Sequence, residues 1–177
     1  MKSRIQLAVL ALTAIFSNGC TPQLAPLKGN YSDKPFEIIS DKPVDIVWGN
    51  VIDLFATKGL SIKLIDKASG LIVSEKTSFA SNYTFEDIYG KLQNPNAWVV
   101  LAKISYGGSD MSPDKITGEW NIRIKTASDG KTLINVNLTN IEGSKYIAPS
   151  QYTAAQNLTF HGKSTGKFEE VISNLVK

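Results

Sequence analysis

The sequence predicts an α+β fold in two layers: a mostly antiparallel sheet of about five to six strands with two helices packed on one face. Three observations lead there. Two segments carry apolar residues at a spacing of three and four. Several others alternate apolar and polar, and this says that one sheet face is dry and the other wet. Short Gly-containing turns join the alternating segments and make their pairing antiparallel.

The elements follow in order. Residues 34–39 (KPFEII) are a short strand candidate. Ser40 or Asp41 can then cap a helix whose first turn accommodates Pro43. Val44, Val47, Trp48, Val51, Leu54 and Phe55 form its apolar face, and Gly59 stops it. Gly49 lies inside this helix, where it costs about 1 kcal/mol against Ala; a close approach to the sheet is the expected reason. Leu60, Ile62 and Leu64 alternate in LSIKLID, KASG turns the chain, and LIVSEKTSF returns as the second strand of a hairpin.

Residues 80–96 read as an excursion rich in Tyr83, Phe85 and Tyr89. A short helix from Thr84 would be limited by Gly90 and Asn94-Pro95. Three strands come next. Residues 97–106 are apolar on both faces at first, as in a central strand. Residues 116–125 set Trp120, Ile122 and Ile124 against Glu119, Asn121, Arg123 and Lys125. After the Asp129-Gly130 turn, 132–141 place Ile134, Val136 and Leu138 inward. Residues 142–162 read as irregular. The last helix, capped by Ser164 or Thr165, spaces Phe168, Val171, Ile172, Leu175 and Val176 three and four apart.

The N-terminus points to a compartment. Lys2 and Arg4 precede an apolar stretch, Ile5 to Phe16, that is too short to span a bilayer, which needs roughly 20 residues. It suits the apolar core of a signal peptide over residues 1–19. Ser17, Asn18 and Gly19 then lead to Cys20, the single cysteine of the chain. An odd cysteine in an exported protein is unusual. The order resembles a bacterial lipobox, with Ser17 where Leu is customary. That resemblance implies cleavage before Cys20, a diacylglycerol on its sulfur and acylation of the new amine. More than one acyl chain holds a protein stably on a membrane. Thr21 is not acidic, which by resemblance to bacterial sorting rules implies the outer membrane; a periplasmic facing is the expectation that goes with it. Residues 20–33, with Pro22, Pro26 and Gly29, read as a lipidated Cys and flexible tether of roughly 40 Å reach at about 3.3 Å per residue. Residues 34–177 are the single folded domain.

Loss of residues 1–19 removes Lys2 and Arg4, and the formal charge falls from +3 to +1. No basic stripe suggests nucleic acid. One His makes a zinc site of His and Cys ligands unexpected, and no cofactor is implied.

Asp45-Ile46-Val47-Trp48, Leu54, Gly59-Leu60-Ser61-Ile62, Asp66 and Gly70-Leu71-Ile72 together resemble the helix-grip domain in the family of the C lipoprotein of the outer-membrane β-barrel assembly machinery. The resemblance covers only that part of the chain. It implies a helix gripped by an antiparallel sheet. That family carries two such domains and a long extended segment that binds a partner, whereas this chain has room for one domain and a short tether.

Gly162-Lys163-Ser164 matches the end of a phosphate-binding loop, but Asn157 stands where the pattern needs Gly. Lys163, Ser164 and Thr165 at a helix start remain a possible anion site. His161 is the one available imidazole base and has no GxSxG partner motif. Glu86-Asp87 and Glu169-Glu170 read as solvated faces, because adjacent residues on a helix point in different directions. No catalytic residue is expected. Tyr83, Tyr89, Tyr146 and Tyr152, with Trp48 and Trp98, are candidates for an interface or a ligand cleft, since Tyr is favoured where one end is wet. Tyr106 is a further loop-edge tyrosine. The wet face around Glu119, Asn121, Arg123, Asn135 and Asn137 is a second surface. The function expected is a lipid-anchored interaction domain for another envelope protein. The alternative is a small-molecule or lipid-binding module using a cleft between helix 44–58 and the sheet, lined by Trp48, Trp98 and Trp120.

Overall fold

A computed structural model describes residues 21–151 and 153–177. The signal-like segment 1–19, Cys20 and Tyr152 lie outside the described residues. Among the described residues two helices are present, α1 (Val44–Thr57) and α2 (Lys167–Val176). The strands are β1 (Gln23–Ala25), β2 (Phe36–Ser40), β3 (Ile62–Asp66), β4 (Leu71–Ser74), β5 (Thr77–Ser78), β6 (Tyr83–Thr84), β7 (Val99–Leu101), β8 (Lys103–Tyr106), β9 (Ser109–Met111), β10 (Lys115–Thr126), β11 (Thr132–Ile147) and β12 (Gln156–Ser164). Nine of them form one sheet ordered β3-β4-β10-β11-β12-β7-β6, with β2 added to β11 and β5 to β10. A separate three-stranded sheet runs β1-β8-β9. Every pair is antiparallel except β6 with β7. The α+β class holds, and the sheet is larger than the five to six strands expected.

Helix α1 buries Val47, Trp48, Val51 and Phe55 along one stripe. Its N-cap is Pro43 rather than Ser40 or Asp41; the Pro43 carbonyl accepts the amides of Ile46 and Val47. Ser40 works elsewhere. Its hydroxyl donates to the Val176 carbonyl at the end of α2, and Lys42 Nζ donates to the Leu175 carbonyl at 3.1 Å. A cation suits that helix end, where carbonyls are unpaired. At the end of α1, Gly59 adopts φ 65° and the Leu60 amide reaches back to the Phe55 carbonyl at 2.8 Å. This is the six-residue closure that a left-handed glycine permits.

Three strand expectations fail for identifiable reasons. Residues 97–106 are not one strand: they divide at Ala102, whose amide bonds the His161 carbonyl, so that β7 joins β12 while β8 enters the small sheet. Strand β11 continues to Ile147 through a bulge at Asn140 (φ 53°). The bulge moves the inward positions from Leu138 to Ile141 and Gly143, and the broken alternation reads as a strand end. Strand β12 occupies the segment read as irregular; Leu158 and Phe160 supply its inward face. Within the excursion at 80–96, residues 83–84 form a short strand.

The core is centred on aromatic rings from both layers. Trp120 of β10 stacks on Phe168 of α2 with centroids 3.8 Å apart. Trp98 meets Phe168 edge-on at 4.8 Å, and Phe55 of α1 does so at 6.3 Å. Edge and offset aromatic pairs contribute about 0.5–1.5 kcal/mol beyond their burial. These rings join the helices to the sheet.

Gly49 has no close approach to explain it: a Cβ there would meet nothing within 4 Å. Gly49→Ala is therefore expected to stabilise the domain by about 0.5–1 kcal/mol, through helix propensity and a less flexible unfolded chain. Urea unfolding with an unchanged m-value checks this.

Candidate functional site

The segment read as a flexible tether is fixed to the domain. Gln23, Leu24 and Ala25 pair antiparallel with Ser105, Ile104 and Lys103. A few residues on, one carboxylate gathers three donors. Glu86 Oε2 accepts the Lys28 amide at 2.7 Å, and Oε1 accepts the Gly29 amide at 2.8 Å and the Tyr31 hydroxyl at 2.7 Å. Lys28 Nζ donates to the Ile88 carbonyl at 2.7 Å, and Lys163 pairs with Asp33. Residues 23–33 thus form an arm laid along the fold.

Glu86 was expected on a solvated face, but only 6% of it is exposed. The segment is extended and not helical, so Glu86 and Asp87 take opposite directions, one inward and one outward. Asp87 organises the turn beyond. Its Oδ1 accepts the amides of Tyr89 at 2.8 Å and Lys91 at 2.9 Å, and Gly90 supplies the left-handed residue at φ 82°. Ile88 and Tyr89 stand at the tip, 72% and 85% exposed. A small cleft of about 140 Å³ lies between arm and turn, bordered by Pro26, Leu27, Ile88 and Leu101.

Burial alone would raise the Glu86 pKa. The amide of Lys28, the hydroxyl of Tyr31, the amide of Gly29 and the Lys28 charge together outweigh it, and the net shift is downward. Tyr31 is pushed far upward by its burial, then by its bond to Glu86 and the Glu86 charge.

The other candidates scatter. Trp48 is buried on α1, and Trp98 is half-buried in the aromatic core. Tyr83 is half-buried against Phe85 at 5.7 Å. Tyr146 is exposed on β11. The space between helix 44–58 and the sheet is filled by Val47, Val51, Phe55 and Trp120, all fully buried; the cleft expected to be lined by Trp48, Trp98 and Trp120 is packed core. His161 is exposed on β12, paired across the ladder with Glu142.

The groups of the expected anion site are engaged internally. Ser164 Oγ donates to Glu169 Oε1 at 2.7 Å, Thr165 Oγ1 donates to the Ala97 carbonyl, and Lys163 is held by Asp33. The N-cap of α2 is Gly166, and the amides of Gly166 and Lys167 turn to Ser164 and Thr165. The protein's own carboxylate occupies the helix start. Glu169, also expected in solvent, is 3% exposed, and its Oε2 has no donor among the described residues. Burial raises its pKa against the opposing bonds from Ser164 and its own amide. It borders a crevice of about 450 Å³ where β2 and β12 diverge from β11, along Asn137–Ile141.

Among the described residues no group of three or more His, Cys, Asp or Glu is placed to hold a metal, and no helix is long and apolar enough to cross a membrane. No protein-family model matches the chain, and no curated protein is significantly similar to it.

Glu86→Gln must set an amide nitrogen against at least one of the three donors. The arm is expected to lose about 1–3 kcal/mol of docking free energy, seen as roughly tenfold or more faster hydrogen exchange at Lys28 and Gly29 while core amides keep their protection. The pH dependence has a fixed sign. A carboxyl held below its ordinary 4.5 contributes its full stabilisation above that value and loses it as pH falls through the lower, folded value. Arm protection should therefore fail first on acidification, and Glu86→Gln should abolish that dependence.

Proposed function

We propose that this chain is a lipid-anchored cell-envelope protein, held in a bacterial outer membrane through Cys20 and facing the periplasm, that presents a non-catalytic domain to another envelope protein. The observation that carries the reading is the lone Cys20 behind a short apolar run with a basic start. The docked arm supports it. Cys20 is three residues from β1, so acyl chains on its sulfur would begin within about 10 Å of the domain at roughly 3.3–3.6 Å per residue. The anchor would hold a particular face of the fold toward the bilayer.

We read the fold as helix-grip-like, with α1 laid on an antiparallel sheet, in keeping with the resemblance carried by residues 45–72. The engaged groups of α2 and the exposed position of His161 favour recognition over catalysis. Exposed Tyr146 marks one surface available to a partner. A second reading, a ligand-binding module, draws on the crevice beside Glu169 and not on the helix–sheet interior.

Cross-linking in intact membranes, followed by mass analysis of the N-terminal peptide, tests the proposal. A reproducible envelope-protein partner and a diacylated, acylated Cys20 are expected. A bare Cys20, or the absence of a recurrent cross-linked partner, would overturn it.

A further inference from the structure

We infer that the Ile88–Tyr89 turn is a second membrane contact, which lays the domain on a bilayer surface with the arm at residues 23–28 alongside. The inference rests on the proposed anchoring at Cys20 and says how the anchored domain is oriented. The turn is built to be rigid and exposed at once. Asp87 and the left-handed Gly90 hold it from within, while the amide of Asp87 donates to the Lys91 carbonyl at 2.8 Å. An ordered loop that keeps two large apolar side chains in water forgoes their burial, and such patches mark contacts with other molecules or membranes.

Position decides the occupant. The turn touches the arm directly: Lys28 Nζ bonds the Ile88 carbonyl, and a Cβ on Gly90 would come within 3.0 Å of the Lys28 Cβ. The arm leads from there through Leu24, 56% exposed on β1, to the end of the described chain at Thr21. The arm that leads to Thr21 and the turn carrying the most exposed apolar pair among the described residues therefore border one cleft. Lys28, Lys91 and Lys103 sit around them, against Asp87 and Asp110. Ile beside Tyr, with amines near, matches a headgroup boundary: the Tyr ring is apolar with a wet end, and amines meet anionic lipid. The contact need not be strong alone. An anchor only residues away turns it into an intramolecular event at high effective concentration, enough to set orientation.

The test uses the full-length lipidated protein, in which the Cys20 sulfur is blocked. An environment-sensitive fluorophore is placed at Lys91→Cys, which leaves Ile88 and Tyr89 intact, and in a second protein at Leu64→Cys, exposed on β3. Both are reconstituted in phosphatidylethanolamine–phosphatidylglycerol vesicles carrying a shallow acyl-chain quencher. Quenching at position 91 at least twofold above position 64, lost on Ile88→Ser with Tyr89→Ser, is expected. Equal quenching at the two positions overturns the inference. So does a probe at 91 that is unquenched by lipid yet shielded from aqueous iodide, since a protein then covers the turn. Mass analysis of the same preparation reads the anchor separately. If Cys20 is bare, the anchoring proposal falls, and the same comparison on a Cys20→Ser background with added vesicles still decides whether the turn enters lipid.

Discussion

A single buried carboxylate decides whether residues 28–31 are a fixed arm or a loose segment. Glu86 gives up water and in return takes two backbone amides and a phenol, drawn from three residues within a four-residue stretch. A charge in such a place is costly unless every lone pair is used. Here the donors come from a segment with no regular structure to satisfy them otherwise, so the exchange fixes both parties. The arm is pinned, and the loop carrying Glu86 is held against it. Strand β1 adds backbone pairing to β8. The consequence is geometric: the arm at residues 25–28 and the turn carrying Ile88 face each other across one small cleft.

The rest of the molecule provides a stiff base for that clamp. Trp120, Phe168, Trp98 and Phe55 tie β10 to both helices. The end of α2 is fastened to the β2 side by Ser40 and Lys42. Glu169 contrasts with Glu86. It too is buried, but one oxygen lacks a donor and its pKa shifts upward where that of Glu86 shifts downward. Its linkage to pH therefore has the opposite sign: its contribution is present below the ordinary carboxyl value and declines as pH rises toward the folded one. A carboxylate that is fully satisfied and one that is half satisfied do different things to the same fold.

Much of the architecture was legible, and its gaps have physical causes. The period of α1, the Gly59 stop, the hairpin at 66–70 and the alternation of β10 depend on local spacing, which the sequence displays directly. Strand β12 and the second half of β11 were hidden because a bulge at Asn140 inverts the inward parity and because only Leu158 and Phe160 mark the return strand. Glu86 was misread for a related reason. On a helix, adjacent acids point in different directions and both can reach water; on the extended segment found here they take opposite faces, and Glu86 is the one turned inward. The clamp itself joins residues 28–31 to 86 across the chain, a pairing that periodicity does not encode. The Ser164 and Thr165 hydroxyls do lie at a helix start, but Ser164 is taken by Glu169, an internal anion, and Thr165 by the Ala97 carbonyl, so neither is left for an external anion.

The central claim is that residues 23–31 are a fixed arm and not a tether. Backbone order parameters from nuclear spin relaxation test it most directly. Values of about 0.85 are expected for Gln23–Ala25, Lys28 and Gly29, equal to those of β10; values below about 0.6 there, beside a rigid core, would contradict a fixed arm.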